Sequence, residues 1–199
     1  MKKISIFTLL ICAIFTTTSF AQGPEIGIKG GLNYSTLTGD FDGLEGSIGW
    51  HAGLAFGLNF TDSYTLQPEI LLSSQGVDFE DVDDSGLNLL YLNIPVLAKF
   101  RFAEIAYFEA GPYIGFLINE EYEINGEEVD IDDTFKSTDY GVIAGVGVDL
   151  IGGFGAGVRY QLGLNNIADD SDDVNNPFDD DGDPSNGVFQ VYAAYYFGR

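Results

Sequence analysis

Apolar residues recur at every second position in eight separate stretches of this chain. That period belongs to a β-strand with one face buried, not to a helix. The stretches fall at about 25–37, 48–60, 64–75, 87–102, 106–118, 138–151, 154–165 and 188–197. In the second, Ile48, Trp50, Ala52, Leu54, Phe56, Leu58 and Phe60 share one face, and His51, Gly53, Ala55, Gly57 and Asn59 share the other. In the fourth, Leu92, Ile94, Val96, Ala98 and Phe100 alternate with Tyr91, Asn93, Lys99 and Arg101. A content of 26 Gly, 16 Phe and 11 Tyr suits strands and turns better than helices. Pro68, Pro95 and Pro112 each remove a ladder donor from inside a stretch. Bulges or kinks are expected at those positions.

The connections between stretches alternate in length. Those at 61–63, 103–105 and 152–153 are tight, whereas those at 38–47, 76–86, 119–137 and 166–187 are long. Short turns on one side and long loops on the other are the pattern of a membrane barrel with periplasmic turns and extracellular loops. An even strand number returns both termini to the periplasmic side. The expected fold is all-β: an eight-stranded antiparallel up-and-down transmembrane β-barrel in the outer membrane of a Gram-negative bacterium.

Alternation alone does not say which face is inside, and a soluble lipid-binding barrel would point its apolar face inward. The polar face argues for the membrane. It carries Glu25, Lys29, Glu69, Lys99, Arg101, Glu109, Asp139, Asp149 and Arg159. A Lys or Arg on a lipid-facing position at the midplane would cost about 2–4 kcal/mol, and the apolar faces contain none. Of the bases beyond the first 21 residues, the two left over, Lys136 and Arg199, fall in a long loop and at the C-terminus. Aromatic residues on the apolar face also gather near the stretch ends. Phe60, Tyr64, Phe102, Phe108, Phe154 and Phe197 lie at one end, and Tyr34, Trp50, Phe116, Tyr140 and Phe189 at the other. Two such groups match the aromatic girdles of the bilayer interfaces.

The first residues read as a targeting segment. Lys2 and Lys3 precede the apolar run 4–15, and Ser19-Phe20-Ala21 is a small-x-small cleavage pattern. The expected organisation is a signal peptide over 1–21 and one barrel domain over 22–199. Cys12, the sole cysteine, follows Ile11, where a lipidation signal needs a small residue. It lies within the segment expected to be removed, which leaves no thiolate metal site or disulfide framework. The formal charge of −23 disfavours nucleic acid as a partner.

Several segments carry a family resemblance: GIKGGLNYSTL at the start of the first stretch, LQPEILLSSQG, YLNIPVLAKFRF, YFEAGPYIGFLI and a closing aromatic strand. Together they resemble the PorT-like, porin-family outer-membrane β-barrel domain of the Bacteroidetes type. The resemblance spans nearly all of the chain after the leader. It implies location and fold, and it brings no catalytic residues. Barrels of this type end on a terminal aromatic, whereas here Gly198 and Arg199 follow Phe197.

Three constellations could carry chemistry. The first is the inward charge set Lys29, Glu69, Lys99, Arg101, Glu109, Asp139, Asp149 and Arg159. Eight strands enclose a lumen that side chains can fill, and buried charges must be paired. A plugging ion-pair network is expected, and a narrow ion path is the alternative. The second is the acidic long loops, which hold most of the 31 acidic residues. Asp179, Asp181 and Asp183 around Gly182 resemble a fragment of a calcium loop, without the bidentate Glu. Ca2+ there, or divalent bridging to lipopolysaccharide phosphates, is the metal expectation, and no other cofactor is expected. The third is His51 with Ser73 and Glu69, three residue types that occur in nucleophilic catalysis. No nucleophile elbow frames Ser73. The leading functional expectation is a non-catalytic, monomeric outer-membrane barrel with acidic extracellular loops that meet lipid, lipopolysaccharide or protein partners. A small passive pore and a lipid-modifying enzyme are the alternatives.

Overall fold

A computed structural model describes residues 24–38, 44–79, 86–124, 127–129, 137–164 and 185–198. The expected leader 1–21 and the loop carboxylates Asp179, Asp181 and Asp183 lie outside the described residues.

The described chain is nearly all strand. Its strands are β1 (Glu25–Thr38), β2 (Leu44–Asn59), β3 (Tyr64–Phe79), β4 (Gly86–Arg101), β5 (Ala106–Ile124), β6 (Glu127–Val129), β7 (Thr138–Asp149), β8 (Phe154–Gly163) and β9 (Ser185–Phe197). Every neighbouring pair is antiparallel. β6 pairs with the outer end of β5 alone, so eight strands make the wall. The wall closes because β1 pairs with both β2 and β9 while β4 pairs with β5. Closure leaves those strands without free edges.

Parity follows the sequence alternation. Along β1, Ile26, Ile28, Leu32 and Tyr34 are exposed, whereas Lys29, Asn33 and Ser35 are buried. The same inversion runs round the wall: Trp50, Leu54, Phe108, Val146, Val158 and Val191 face out, and Glu69, Glu109, Arg159 and Gln190 face in. Charged side chains buried behind an exposed aliphatic wall suit a lipid surround, not water. Outward aromatics meet in pairs at the short-turn rim. Phe102 stacks on Phe108 with centroids 4.4 Å apart, and Phe154 lies 5.0 Å from Tyr195.

Strand lengths and bulges differ from the sequence expectation. β2, β3, β5 and β9 run several residues further into the long connections, β5 as far as Ile124. Cross-strand pairing continues there after alternation fades, because backbone hydrogen bonds do not need an apolar face. The prolines produce no bulge. Register is constant through Pro68, Pro95 and Pro112, although pairings drop out beside them, as between Pro68↔Val96 and Leu71↔Asn93. Register shifts occur nearer the long loops, between Gly46 and His51 and between Leu90 and Tyr91. Each proline loses a donor while its neighbours on both sides hold the ladder.

The short turns are compact. Thr61 Oγ1 accepts from Tyr64 N at 3.0 Å. Between β7 and β8 the chain makes one 3₁₀ turn, Ile151–Gly153, with Gly152 at φ 75° and Gly153 at φ 83°. Side chains are disfavoured at such angles, so the glycine pair is what permits a turn this tight.

Candidate functional site

The lumen is the site, and it is built from the inward positions of all eight wall strands. Glu69 of β3 is its hub. Its Oε1 accepts from Lys29 Nζ at 2.5 Å and Gln67 Nε2 at 2.6 Å, and its Oε2 accepts from Arg159 Nη1 at 2.8 Å. The side chains of Lys29 and Glu69 have no exposure. Arg159 Nε reaches across to Gln190 Oε1 at 2.6 Å. A buried carboxylate is tolerable only with charge compensation and filled lone pairs, and this one has two cations and an amide.

A second group lies toward the short turns. Lys99 Nζ stands 3.8 Å from Glu109 Oε2 and donates to Tyr196 Oη at 3.3 Å. Tyr192 Oη donates to Glu109 Oε1 at 3.0 Å and meets Tyr107 Oη at 3.0 Å. Tyr196 Oη donates to Gln67 Oε1 at 2.8 Å, which joins this group to the Glu69 hub. The ammonium groups also lie over tyrosine faces: Lys29 is 3.9 Å from the Tyr192 centroid, and Lys99 is 4.2 Å from that of Tyr107. Desolvated cation–π contacts add to the ion pairing.

The remaining charges of the expected set stand apart from these two groups. Arg101 Nη2 pairs with Asp149 Oδ2 at 2.5 Å at the short-turn mouth, and Arg101 Nη1 donates to Asp62 O at 3.1 Å. They border an open cavity of about 510 Å³ whose lining includes Glu25, Asn59, Glu104 and Gly152. Arg101 is about one-third exposed, so its pair contributes little by comparison with the buried hub. Asp139 lies at the long-loop end of β7, where Tyr113 Oη donates to its Oδ2 at 2.8 Å and Asn186 Nδ2 at 3.2 Å.

His51 and Ser73 are ladder partners. Asn33, on β1, mediates between them. Its Nδ2 donates to Ser74 O at 2.7 Å, Trp50 O at 3.0 Å and Ser73 Oγ at 3.0 Å. Its Oδ1 faces His51 Nδ1 at 2.7 Å and accepts from Gln190 Nε2 at 2.9 Å. Two backbone carbonyls orient the Asn33 amide, so its Oδ1 is an acceptor and His51 carries a proton on Nδ1.

The tyrosines and amides are the part that sequence reasoning missed. Tyr107, Tyr113, Tyr192 and Tyr196 have inward parity, and that was the available signal. Their ring seats are formed by glycines on neighbouring strands. A Cβ added at Gly157 would fall 2.5 Å from Tyr192 Oη, and one at Gly147 the same distance from Tyr107 Oη. The glycines on the polar face therefore make room for the rings that fill the lumen.

A family model described as outer membrane protein beta-barrel domain matches residues 20–169. No curated protein sequence matches the chain. Among solved structures, Neisserial surface protein A superposes with a TM-score of 0.57 at 11% identity, over 88% of this chain and 100% of that one. Ail, the attachment invasion locus protein of Yersinia pestis, gives 0.52 at 16% identity, with the same coverage of each chain. At such identities the likeness concerns fold alone.

Proposed function

We propose, from the premise that this chain belongs to the outer membrane protein β-barrel domain family, that it is a non-catalytic barrel with a sealed lumen whose acidic loops are its working surface. Within the family, the PorT-like reading is supported by the resemblance carried by the motifs GIKGGLNYSTL and LQPEILLSSQG. The short turns and both termini face the periplasm, and the long loops face outward. There the loop carboxylates, Asp179, Asp181 and Asp183 among them, hold divalent cations that bridge to lipopolysaccharide phosphates or to a protein partner. The barrel works as a monomer.

One observation carries the sealed reading. Lys29, Glu69 and Arg159 come from three different strands and meet at one point with almost no exposure. A wall-to-wall contact of that kind leaves no continuous water column in an eight-stranded lumen. The non-catalytic reading is supported by His51 and Ser73, which are at most 1% exposed. Ser73 Oγ accepts from both Asn33 and Gln75, so neither group is offered to a substrate. Planar-bilayer recording of the purified barrel tests the proposal. No steady unitary current is expected, and a reproducible single-channel conductance would refute the sealed lumen.

A further inference from the structure

The three short turns lie on one rim but differ in chemistry. The β2–β3 turn is Thr61, Asp62 and Ser63, all polar and all exposed. The β4–β5 turn ends in Ile105, and Ile151 stands at the tip of the β7–β8 turn. Ile151 is 95% exposed, and Ile105 is half exposed. A single exposed isoleucine needs no explanation, but these two belong to one surface. Asp149 N donates to Ile105 O at 2.8 Å, so the two turns are bonded to each other. The outer wall next to them carries the exposed rings of Phe102, Phe108 and Phe154. The acids of the same segments lie on the inner flank, where Glu104 and Asp149 border the mouth cavity together with Leu150. Acid inward and apolar outward is the division seen along the strands, and here it persists through the turns.

The polar turn and the most apolar turn stand opposite each other. Round the wall the strands run β1, β2, β3, β4, β5, β7, β8 and β9. The β2–β3 and β7–β8 turns are therefore four strands apart in a ring of eight, and the β4–β5 turn lies between them. Strand length points the same way. A membrane crossing takes about 9–11 residues. β8 has 10 and β3 has 16. β8 has none to spare, so the turn that precedes Phe154 lies at the membrane boundary, whereas β3 has residues left over.

We propose that the barrel sits obliquely in the bilayer, with Ile151 and Ile105 seated at the headgroup–acyl boundary on the short-turn side and the β2–β3 turn standing out in water. The occupant of this apolar rim is phospholipid, because the rim continues the lipid-facing wall without a polar band between them. The inference rests on the proposed membrane barrel, and in its proposed orientation the leaflet concerned is the inner one. Seating the two isoleucines at the boundary removes apolar surface from water. Tilting is the ordinary response of a wall whose apolar height is unequal round its circumference. Charge is tolerated near the interface, so Glu104 can border the mouth at that depth. For the same reason folding stability does not read this contact, and depth does.

The test uses the full barrel in phosphatidylcholine nanodiscs, where both membrane faces meet solvent. Trp50→Phe removes the native indole, and Ile151→Trp, Ile105→Trp or Ser63→Trp restores one in that background. Tryptophan itself favours interfaces, and that bias is the same at all three positions. Aqueous acrylamide should quench Ile151→Trp and Ile105→Trp several-fold less than Ser63→Trp. Phospholipid brominated near the carbonyl end of its chains should quench the first two and leave Ser63→Trp unaffected. Equal acrylamide quenching at the three positions would overturn the oblique seating and leave the isoleucines as a surface for a periplasmic protein. Bromine quenching at all three would overturn it too, because a level barrel buries every turn alike. Wild-type Trp50 in the same nanodiscs separates this inference from the reading beneath it. Trp50 quenched by bromine with Ile151→Trp in water removes the seating alone, and Trp50 in water removes both. Should Ile151→Trp not regain heat-modifiable mobility on a gel, Ile105→Trp against Ser63→Trp decides by the same criteria.

Discussion

Removing the hub carboxylate should be the most damaging single change in the lumen. In Glu69→Ala, Lys29 and Arg159 lose their shared partner, and Gln67 loses an acceptor 2.6 Å away. Breaking a buried pair from one side costs about 3–5 kcal/mol, because the charge left behind stays desolvated. Here two cations are left beside Tyr192 and Gln190, and the nearest remaining carboxylate to both, Glu109, is already engaged by Lys99 and Tyr192. The upper end of that range is expected. The assay is reversible urea unfolding of the barrel in lipid vesicles, followed by Trp50 fluorescence and by gel mobility. The triple variant Lys29→Met, Glu69→Leu, Arg159→Met removes all three charges together, and replacement by apolar side chains of similar size should recover most of the loss. A cost below about 1 kcal/mol for Glu69→Ala would show that water reaches the hub, and the sealed lumen would fail with it.

Three further outcomes follow from the wall and its packing. Val158→Lys should destabilise the barrel by about 2–4 kcal/mol, whereas Ile151→Lys, at a turn tip 95% exposed, should be close to neutral; paired urea titrations check the contrast. Gly157→Ala places a methyl 2.5 Å from Tyr192 Oη and should cost about 1–3 kcal/mol by overpacking, read as a lower urea midpoint with unchanged m-value. Tyr192→Phe removes the donor to Glu109 and the contact with Tyr107, and should cost about 1–3 kcal/mol in the same assay.

The wall was legible because parity is local. Ile26, Ile28, Leu32 and Tyr34 announce one face within a dozen residues, and no distant contact can change which way they point without slipping the register. Strand ends were less legible. Residues 119–124 contain an Asn and three Glu and read as loop, yet β5 runs through them because β4 supplies the ladder. The prolines suggest bulges or kinks for a similar reason: the missing donor is visible locally, while the neighbours that hold the register are not. Inward charge was legible too, but its pairing was not. Lys29 reaches Glu69 across 40 positions and Arg159 reaches it across 90. Those meetings depend on how the strands stagger round the cylinder.

The single tryptophan offers the most direct test of the claim that the apolar face meets lipid while ionic groups fill the lumen. Trp50 is the only indole in the chain, and it is 46% exposed on the outer face. In vesicles of brominated lipid its fluorescence should be strongly quenched and its emission blue-shifted, with little quenching by aqueous acrylamide. Strong acrylamide quenching with no response to bromine would put Trp50 in water and contradict the inverted barrel.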